Sequence, residues 1–298
     1  MHTDPRRQPG PAPQVLDRRL SFSELLGHAW RVGSLRTALL AGIDAAFRRL
    51  RLRWWRKTAP WYAGKAMNAL RWRIRIDGRP FDLPPTTSSF LSGQAWLGIY
   101  ETSERYAVAR FLPRTLPVVE LGGSAGIVAC LTNRLLADPT RHVVVEANPN
   151  VVPILERNRQ ANGCRFQILH AAVAYGAESI AFGVADDFLA SSLTAPADGN
   201  RVTVPATSLA KIVADAGYDR CSVVCDIEGA EVALLKNESD LFKRVVETLL
   251  IEVHPSIVGR GTVSWLETQL DALGFTTVWT CGDVWFLESM ARRANRAP

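Results

Sequence analysis

The chain lacks the cysteine patterns that staple a fold or bind a metal. Its five cysteines, Cys130, Cys164, Cys221, Cys225 and Cys281, form no Cys-x-x-Cys, and their number is odd. A disulfide framework and a zinc ribbon are excluded; five buried thiols in a reducing cytoplasm are expected. Long apolar runs are missing too. The most hydrophobic N-terminal stretch, Val32 to Phe47, is broken by Arg36 and Asp44, and it falls short of the ~20 residues of a membrane span. No apolar block follows the first arginines, so no secretory signal is read. Lysine is scarce, 5 against 30 arginines, a ratio that a GC-rich coding bias alone would produce. Single arginines are therefore not read as phosphate ligands. No internal repeat is found. What remains is a 298-residue chain, 47% hydrophobic and 21% charged. That is globular, one large domain or two small ones, with a core that needs neither disulfide nor metal.

Charge is unevenly placed. Residues 1–117 hold 20 Lys/Arg against 8 Asp/Glu, and residues 118–298 hold 15 against 21. A basic first part facing an anionic partner, or matching the acidic remainder, is expected. Residues 1–20 are proline-rich and read as a disordered tail. Residues 21–95 read as a basic helical and hairpin region, and residues 96–290 as the main domain. Leu35, Leu39, Ile43, Phe47 and Leu50 make one face of a helix from Ser34 to Lys57. Its end is basic and aromatic, with Trp54 and Trp55, and Pro60 stops it or starts the next turn. Three readings stand for it: a packed helix, a peripheral membrane contact, and an RNA arm. No nucleic-acid motif supports the last, and nucleic acid is not expected as a partner. Residues 72–76 and 80–83 flank Asp77-Gly78, a hairpin signal.

After Pro117, short buried strands alternate with helical stretches. The strands are placed at 118–121, 143–146, 166–169, 222–226 and 248–253, with a closing pair at 275–280 and 284–287. The pattern predicts an α/β, Rossmann-like, mostly parallel seven-stranded sheet with a C-terminal antiparallel hairpin. Ligands bind such sheets beyond the carboxyl ends of the strands, and four polar motifs fall there. Glu120-Leu-Gly-Gly-Ser-Ala-Gly126 lets the backbone approach a ligand closely, but its glycines break the dinucleotide spacing. Glu120 before the loop suits an amine better than a pyrophosphate. Glu146-Ala-Asn-Pro149 offers a carboxylate to the two hydroxyls of a ribose. Asp226-Ile-Glu-Gly-Ala-Glu231 groups three acids, either at a site or as helix caps. Glu252-Val-His-Pro255 supplies a histidine that can act as general base. A divalent metal on Asp226, Glu252 and His254 is the lesser alternative, and no tight metal motif is present.

These four motifs, with Gly98-Ile-Tyr-Glu-Thr-Ser-Glu104 ahead of them, resemble the FkbM-type methyltransferases in order and spacing over residues 95–287. Asp-x-Glu-Gly-x-Glu is the most specific of them. The chain departs from the family's Asp-x-Gly-Ala-Asn-x-Gly loop, with Glu120, Gly123 and Ser124 in place of Asp, Ala and Asn. The resemblance implies a class I enzyme that transfers a methyl group from S-adenosylmethionine, usually to oxygen. It implies that Glu101, Glu120, Gly122, Gly123, Ser124, Gly126, Glu146, Ala147, Asn148 and Asp226 hold the cofactor, with Ala172 and Val173 lining the adenine. Asp226 or His254 would be the base, with Glu252 orienting His254. The acceptor would be a hydroxyl of a sugar, glycolipid or secondary metabolite, small or lipid-linked, under a loop at 185–200. A cytoplasmic enzyme touching the inner face of the membrane through its basic helix is expected. Two rivals stay open: an NAD(P)-dependent oxidoreductase, and a non-catalytic membrane- or partner-binding adaptor.

Overall fold

The structure is a computed structural model that describes residues 23–24, 55–70, 74–184 and 200–294. Helix α1 (Trp55–Leu70) leads into a hairpin, β1 (Ile74–Ile76) and β2 (Arg79–Phe81), then α2 (Ser89–Trp96) and α3 (Thr102–Phe111). The main domain continues with β3 (Val118–Leu121), α4 (Ile127–Leu135), β4 (His142–Glu146), α5 (Val152–Ala161) and β5 (Gln167–His170). Then come β6 (Ala172–Val173), β7 (Ser179–Val184), β8 (Asn200–Thr207), α6 (Leu209–Ala216), β9 (Cys221–Cys225), α7 (Glu231–Arg244) and β10 (Val246–Glu252). The chain closes with α8 (Pro255–Val258), α9 (Arg260–Ala272), β11 (Phe275–Cys281), β12 (Val284–Ser289) and α10 (Met290–Ala294).

The main sheet runs β11–β12–β10–β9–β3–β4–β5. β10, β9, β3, β4 and β5 are parallel, and β12 runs antiparallel between β10 and β11. This is the Rossmann-like sheet with a C-terminal antiparallel hairpin that the alternating pattern predicts. From β3 the chain moves outward to β4 and β5, then returns to β9 and β10 on the other side. The order reverses between β3 and β9, which is where an open sheet of this kind leaves a crevice. Every residue of β3, β4 and β9 is buried, so these strands read as continuous apolar runs. Val119, Val143, Val223 and Leu249 pack on one face against α6, α7 and α9. Val118, Val224 and Leu250 pack on the other.

Two expectations need correction. The sequence reading places no strand between the third strand and the one at 222–226, yet β6, β8 and β7 form a sheet of three strands. Its signal was a short alternation: Phe182 and Val204 point inward with Ile180 and Val202 beside them. Pro205 in β8 masked the pattern, although proline is tolerated toward the end of a strand pairing. Pro60 does not end its helix; it lies inside α1. The expected helix from Ser34 otherwise lies outside the described residues, as do the tail and nearly all of the loop at 185–200.

The Asp77-Gly78 hairpin is present as read, with both turn residues at positive φ, 50° and 79°. Met67, Ile74, Ile76, Phe81 and Leu91 share one core with Ile127, Val144, Leu155 and Phe166. The basic region therefore packs on the main domain. Two joints fix it. At the crossing of α1 and α2, a Cβ on Gly64 would lie 1.7 Å from the Ser89 carbonyl oxygen, and one on Gly93 1.6 Å from that of Pro60. The two backbones touch, and only glycine permits it. The second joint is Arg105 of α3, 1% exposed. It donates to Asp77 (2.7 Å), to Gly98 O (2.7 Å) and to Tyr100 O (3.0 and 3.2 Å). The turn from Gly98 to Thr102 is wrapped around this one guanidinium. All five cysteines are free and buried.

Candidate active site at the sheet's switch point

The loop after β3 is held against β9 and β4 by contacts that exclude side chains. A Cβ on Gly122 (φ +88°) would meet the Asp226 carbonyl oxygen at 1.7 Å; one on Gly123 would meet Val144 Cγ1 at 2.4 Å; one on Gly126 (φ +80°) would meet Leu155 Cδ1 at 2.5 Å. The result is a bare backbone cradle at the head of α4. Three of the four non-glycine residues with positive φ among the described residues, Glu101, Ser124 and Glu228, lie around it. Strain of that kind concentrates at ligand sites. The Ser124 hydroxyl is buried beside the Tyr100 phenol.

Glu146, at the end of β4, braces the cradle. Its Oε2 accepts from Ser124 N–H (2.7 Å) and its Oε1 from Asn148 N–H (2.7 Å). Burial raises its pKa and those amides oppose the rise. Asn148 in turn accepts from Asn150 N–H, closing the turn into α5. Ala147 packs beside Ala172 in the smaller core.

Several expected cofactor contacts are placed differently. Glu120 is 1% exposed and faces the α4 side of the sheet, where its Oε2 sits 3.5 Å from His142 Nε2. Burial lifts Glu120 well above the usual carboxylate range and pushes His142 down to about 3. Burial works against the charged form of each. Glu120 reaches no crevice because its neighbours along the strand, Val119 and Leu121, occupy the opposite face. Ala172 and Val173 are 3% and 5% exposed, so their side chains pack in the core and leave no free surface for an adenine.

Across the crevice, Asp226 follows β9 and His254 follows β10. His254 Nε2 lies 3.4 Å from Asp226 Oδ1 and 3.3 Å from Glu228 Oε2; its Nδ1 lies 3.3 Å from Glu231 Oε1. Glu231 is fully buried and also accepts from Ile227 N–H. It orients His254, a role the sequence reading gave to Glu252. Glu252 instead shares a hydrogen bond with Glu104 of α3; burial and the charges of Glu104 and Asp226 push it up to about 11. Burial, then Glu228, pushes Asp226 up to about 8. For His254, burial works against the charge, but the Glu231 bond and the surrounding carboxylates outweigh it and push it up to about 9. Glu101 closes the far side: burial and the Glu104 and Asp226 charges hold it well above the ordinary range. Tyr100 beside it is buried and raised for the same first reason.

Asp226, His254, Glu252, Glu101, Gly122, Gly123, Ser124, Gly126 and Glu146 are thus gathered around the switch point. The sequence reading quotes Tyr100 and Glu104 in the entry segment and Glu228 and Glu231 among the acids of a site or a helix cap, but gives none of the four a specific role at the site. The acids within Asp226–Glu231 carried that signal, since helix capping explains only the backbone bond to Ile227. Asp226, Glu228 and His254 also have ligating atoms all within 4.8 Å of one another. The structure thus keeps open the metal-centre alternative, with Glu228 where the sequence reading had Glu252.

No protein-family model matches the chain, and no curated protein matches it. Among solved structures, it is similar to a protein of the NADB-Rossmann superfamily from Streptococcus agalactiae, at 11% identity over 61% of this chain and 65% of that one, TM-score 0.38. It is similar to a ribosomal protein L11 methylase from Lactobacillus delbrueckii subsp. bulgaricus, at 15% identity over 62% and 74%, TM-score 0.35. A precorrin-6y C5,15-methyltransferase from Geobacter metallireducens is similar at 11% identity over 62% and 86%, TM-score 0.35. Likeness at this level carries no activity or substrate across to this chain.

Proposed function

We propose that the protein is an S-adenosylmethionine-dependent O-methyltransferase of FkbM type, acting on a hydroxyl of a sugar, glycolipid or secondary metabolite. One observation carries the reading. A glycine-rich cradle, Gly122 to Gly126, abuts the backbone of Asp226 at the switch point, across from a histidine set among carboxylates. The cradle fits a cofactor that carries an amino acid and a ribose.

When bound, S-adenosylmethionine supplies a sulfonium methyl group to a nucleophilic oxygen. The chain's own residues do the rest. Gly122, Gly123 and Gly126 keep the loop bare so that the cofactor's backbone-like end can approach it. Glu146 keeps Ser124 and Asn148 in place, so the cradle is preformed. Holding two reactants in line contributes most of what such a site can offer. Once His254 has lost its own proton, which its raised pKa of about 9 places in mildly alkaline solution, it takes the acceptor's proton, and Glu231 fixes the ring that receives it. The carboxylates around it favour the imidazolium that results.

Calorimetric titration with S-adenosylhomocysteine tests the reading. The wild type is expected to bind at micromolar concentration. Glu146→Ala, which frees two charge-assisted bonds worth about 1.5–3 kcal/mol each, is expected to weaken binding at least tenfold while circular dichroism stays unchanged. A folded wild type that takes up no S-adenosylhomocysteine would sink the methyltransferase reading.

A further inference from the structure

We propose that Asp226, Glu228 and His254 form a binding site for one divalent first-row cation, beside the cofactor cradle. Two carboxylates and one imidazole are a mixed oxygen–nitrogen donor set, which suits Mn²⁺ or Zn²⁺ better than the all-oxygen shells of Ca²⁺ or Mg²⁺. His254 Nε2 is 3.4 Å from Asp226 Oδ1 and 3.3 Å from Glu228 Oε2. Those separations are the edges of a coordination shell with bonds of about 2.1 Å.

A second observation, independent of the acids that face Nε2, points the same way. His254 turns its other nitrogen, Nδ1, to Glu231 Oε1 at 3.3 Å, and Glu231 is 0% exposed. A buried carboxylate on the far nitrogen is the usual support of a metal-bound histidine, because it fixes the tautomer that leaves the near lone pair free. With the hydrogen on Nδ1, the Nε2 lone pair points at two carboxylate oxygens. Nothing but a cation or a second proton makes that arrangement attractive. Asp226 Oδ1 and the second oxygen of Glu231, both buried, have no hydrogen-bond partner. Glu228 is held at φ 50°, a conformation a glutamate adopts only under constraint, and this aims it back toward His254.

Cation binding is independent of the methyl-transfer reading. Its role in catalysis rests on that reading: a cation here would hold and acidify the acceptor hydroxyl, whose proton would pass to water, since His254 would be occupied as a ligand. The test uses metal-free full-length protein. Mn²⁺ is titrated and followed by loss of its free electron paramagnetic resonance signal, and Zn²⁺ is titrated by calorimetry. One equivalent of at least one of them is expected to bind at micromolar concentration, weakened tenfold or more by Glu228→Gln and by His254→Gln. S-adenosylhomocysteine titration of Glu228→Gln shows whether that variant keeps the cradle. If neither cation binds the folded wild type, or if both substitutions leave binding unchanged, the proposal falls and the trio is an imidazolium clasped by acids. If Mn²⁺ or Zn²⁺ binds as expected but S-adenosylhomocysteine does not, the cation site stands and the cofactor reading falls.

Discussion

Glu120 and His142 are a buried pair whose resistance to ionisation has a measurable signature. Glu120, raised by burial from an ordinary value of 4.5, contributes stability below that pH and loses it as pH rises toward its folded value. His142, lowered from 6.5 to about 3, does the reverse: its contribution is full above 6.5 and lost as pH falls. Glu120→Gln removes the first dependence and keeps the shape. The variant is therefore expected to melt about 3 °C above wild type at pH 7.5, on the order of 1 kcal/mol. At pH 4 the two should melt together. Equal melting temperatures at both pH values would mean that Glu120 is ionised in the fold. In the sequence Glu120 stood beside the glycine loop and read as a cofactor contact. Parity along β3 sends it to the other face, and one motif cannot show which face a strand gives to the crevice. Asp226 and His254 were legible because both follow strands; Glu231 was half legible, since capping and orienting the histidine use the same carboxylate.

At the scale of elements, the contact between α1 and α2 depends on two hydrogens. An added methyl group at Gly93 would overlap the Pro60 carbonyl, and neither partner is a flexible side chain that can swing away. Gly93→Ala is expected to cost at least ~2 kcal/mol and to lower the melting temperature by about 5 °C or more. Gly261→Ala in α9 is the control: nothing lies within 4 Å of its added methyl, so the change should be neutral or mildly stabilising. Parallel losses in the two variants would mean the helices do not cross as described. The parallel strands were readable from runs such as Val143–Glu146 because burial on both faces leaves little choice of residue. The β6–β8–β7 sheet was not, because β6 has only two residues and Pro205 interrupts the alternation of β8. The two-glycine crossing gave no sequence signal, since Gly64 and Gly93 meet only through tertiary structure.

At the scale of the whole molecule, the described part of the basic region is packed on the main domain. No helix among the described residues is long and apolar enough to cross a membrane. α1 presents Trp61 (40% exposed) and Tyr62 (65%), with the Lys65 ammonium 4.0 Å over the Trp61 ring. Exposed aromatics next to a cation support the proposal that this end touches an anionic membrane surface. The full chain is expected to float with vesicles rich in phosphatidylglycerol, to stay behind with phosphatidylcholine alone, and to detach as salt rises well above ~0.1 M. Trp61→Ala with Tyr62→Ala should reduce flotation several-fold without changing S-adenosylhomocysteine binding. Flotation that ignores both lipid charge and these side chains would count against a surface contact.

The closeness of Gly122 to the Asp226 carbonyl has a kinetic consequence. The two residues are about 100 positions apart, and the cradle does not exist until β9 has settled between β3 and β10. The entropy of closing so long a loop makes that pairing slow compared with formation of the flanking helices. A refolding chain would regain its helical signal first and its ability to trap a ligand last. A bound ligand would then report arrival of the complete sheet rather than its beginning.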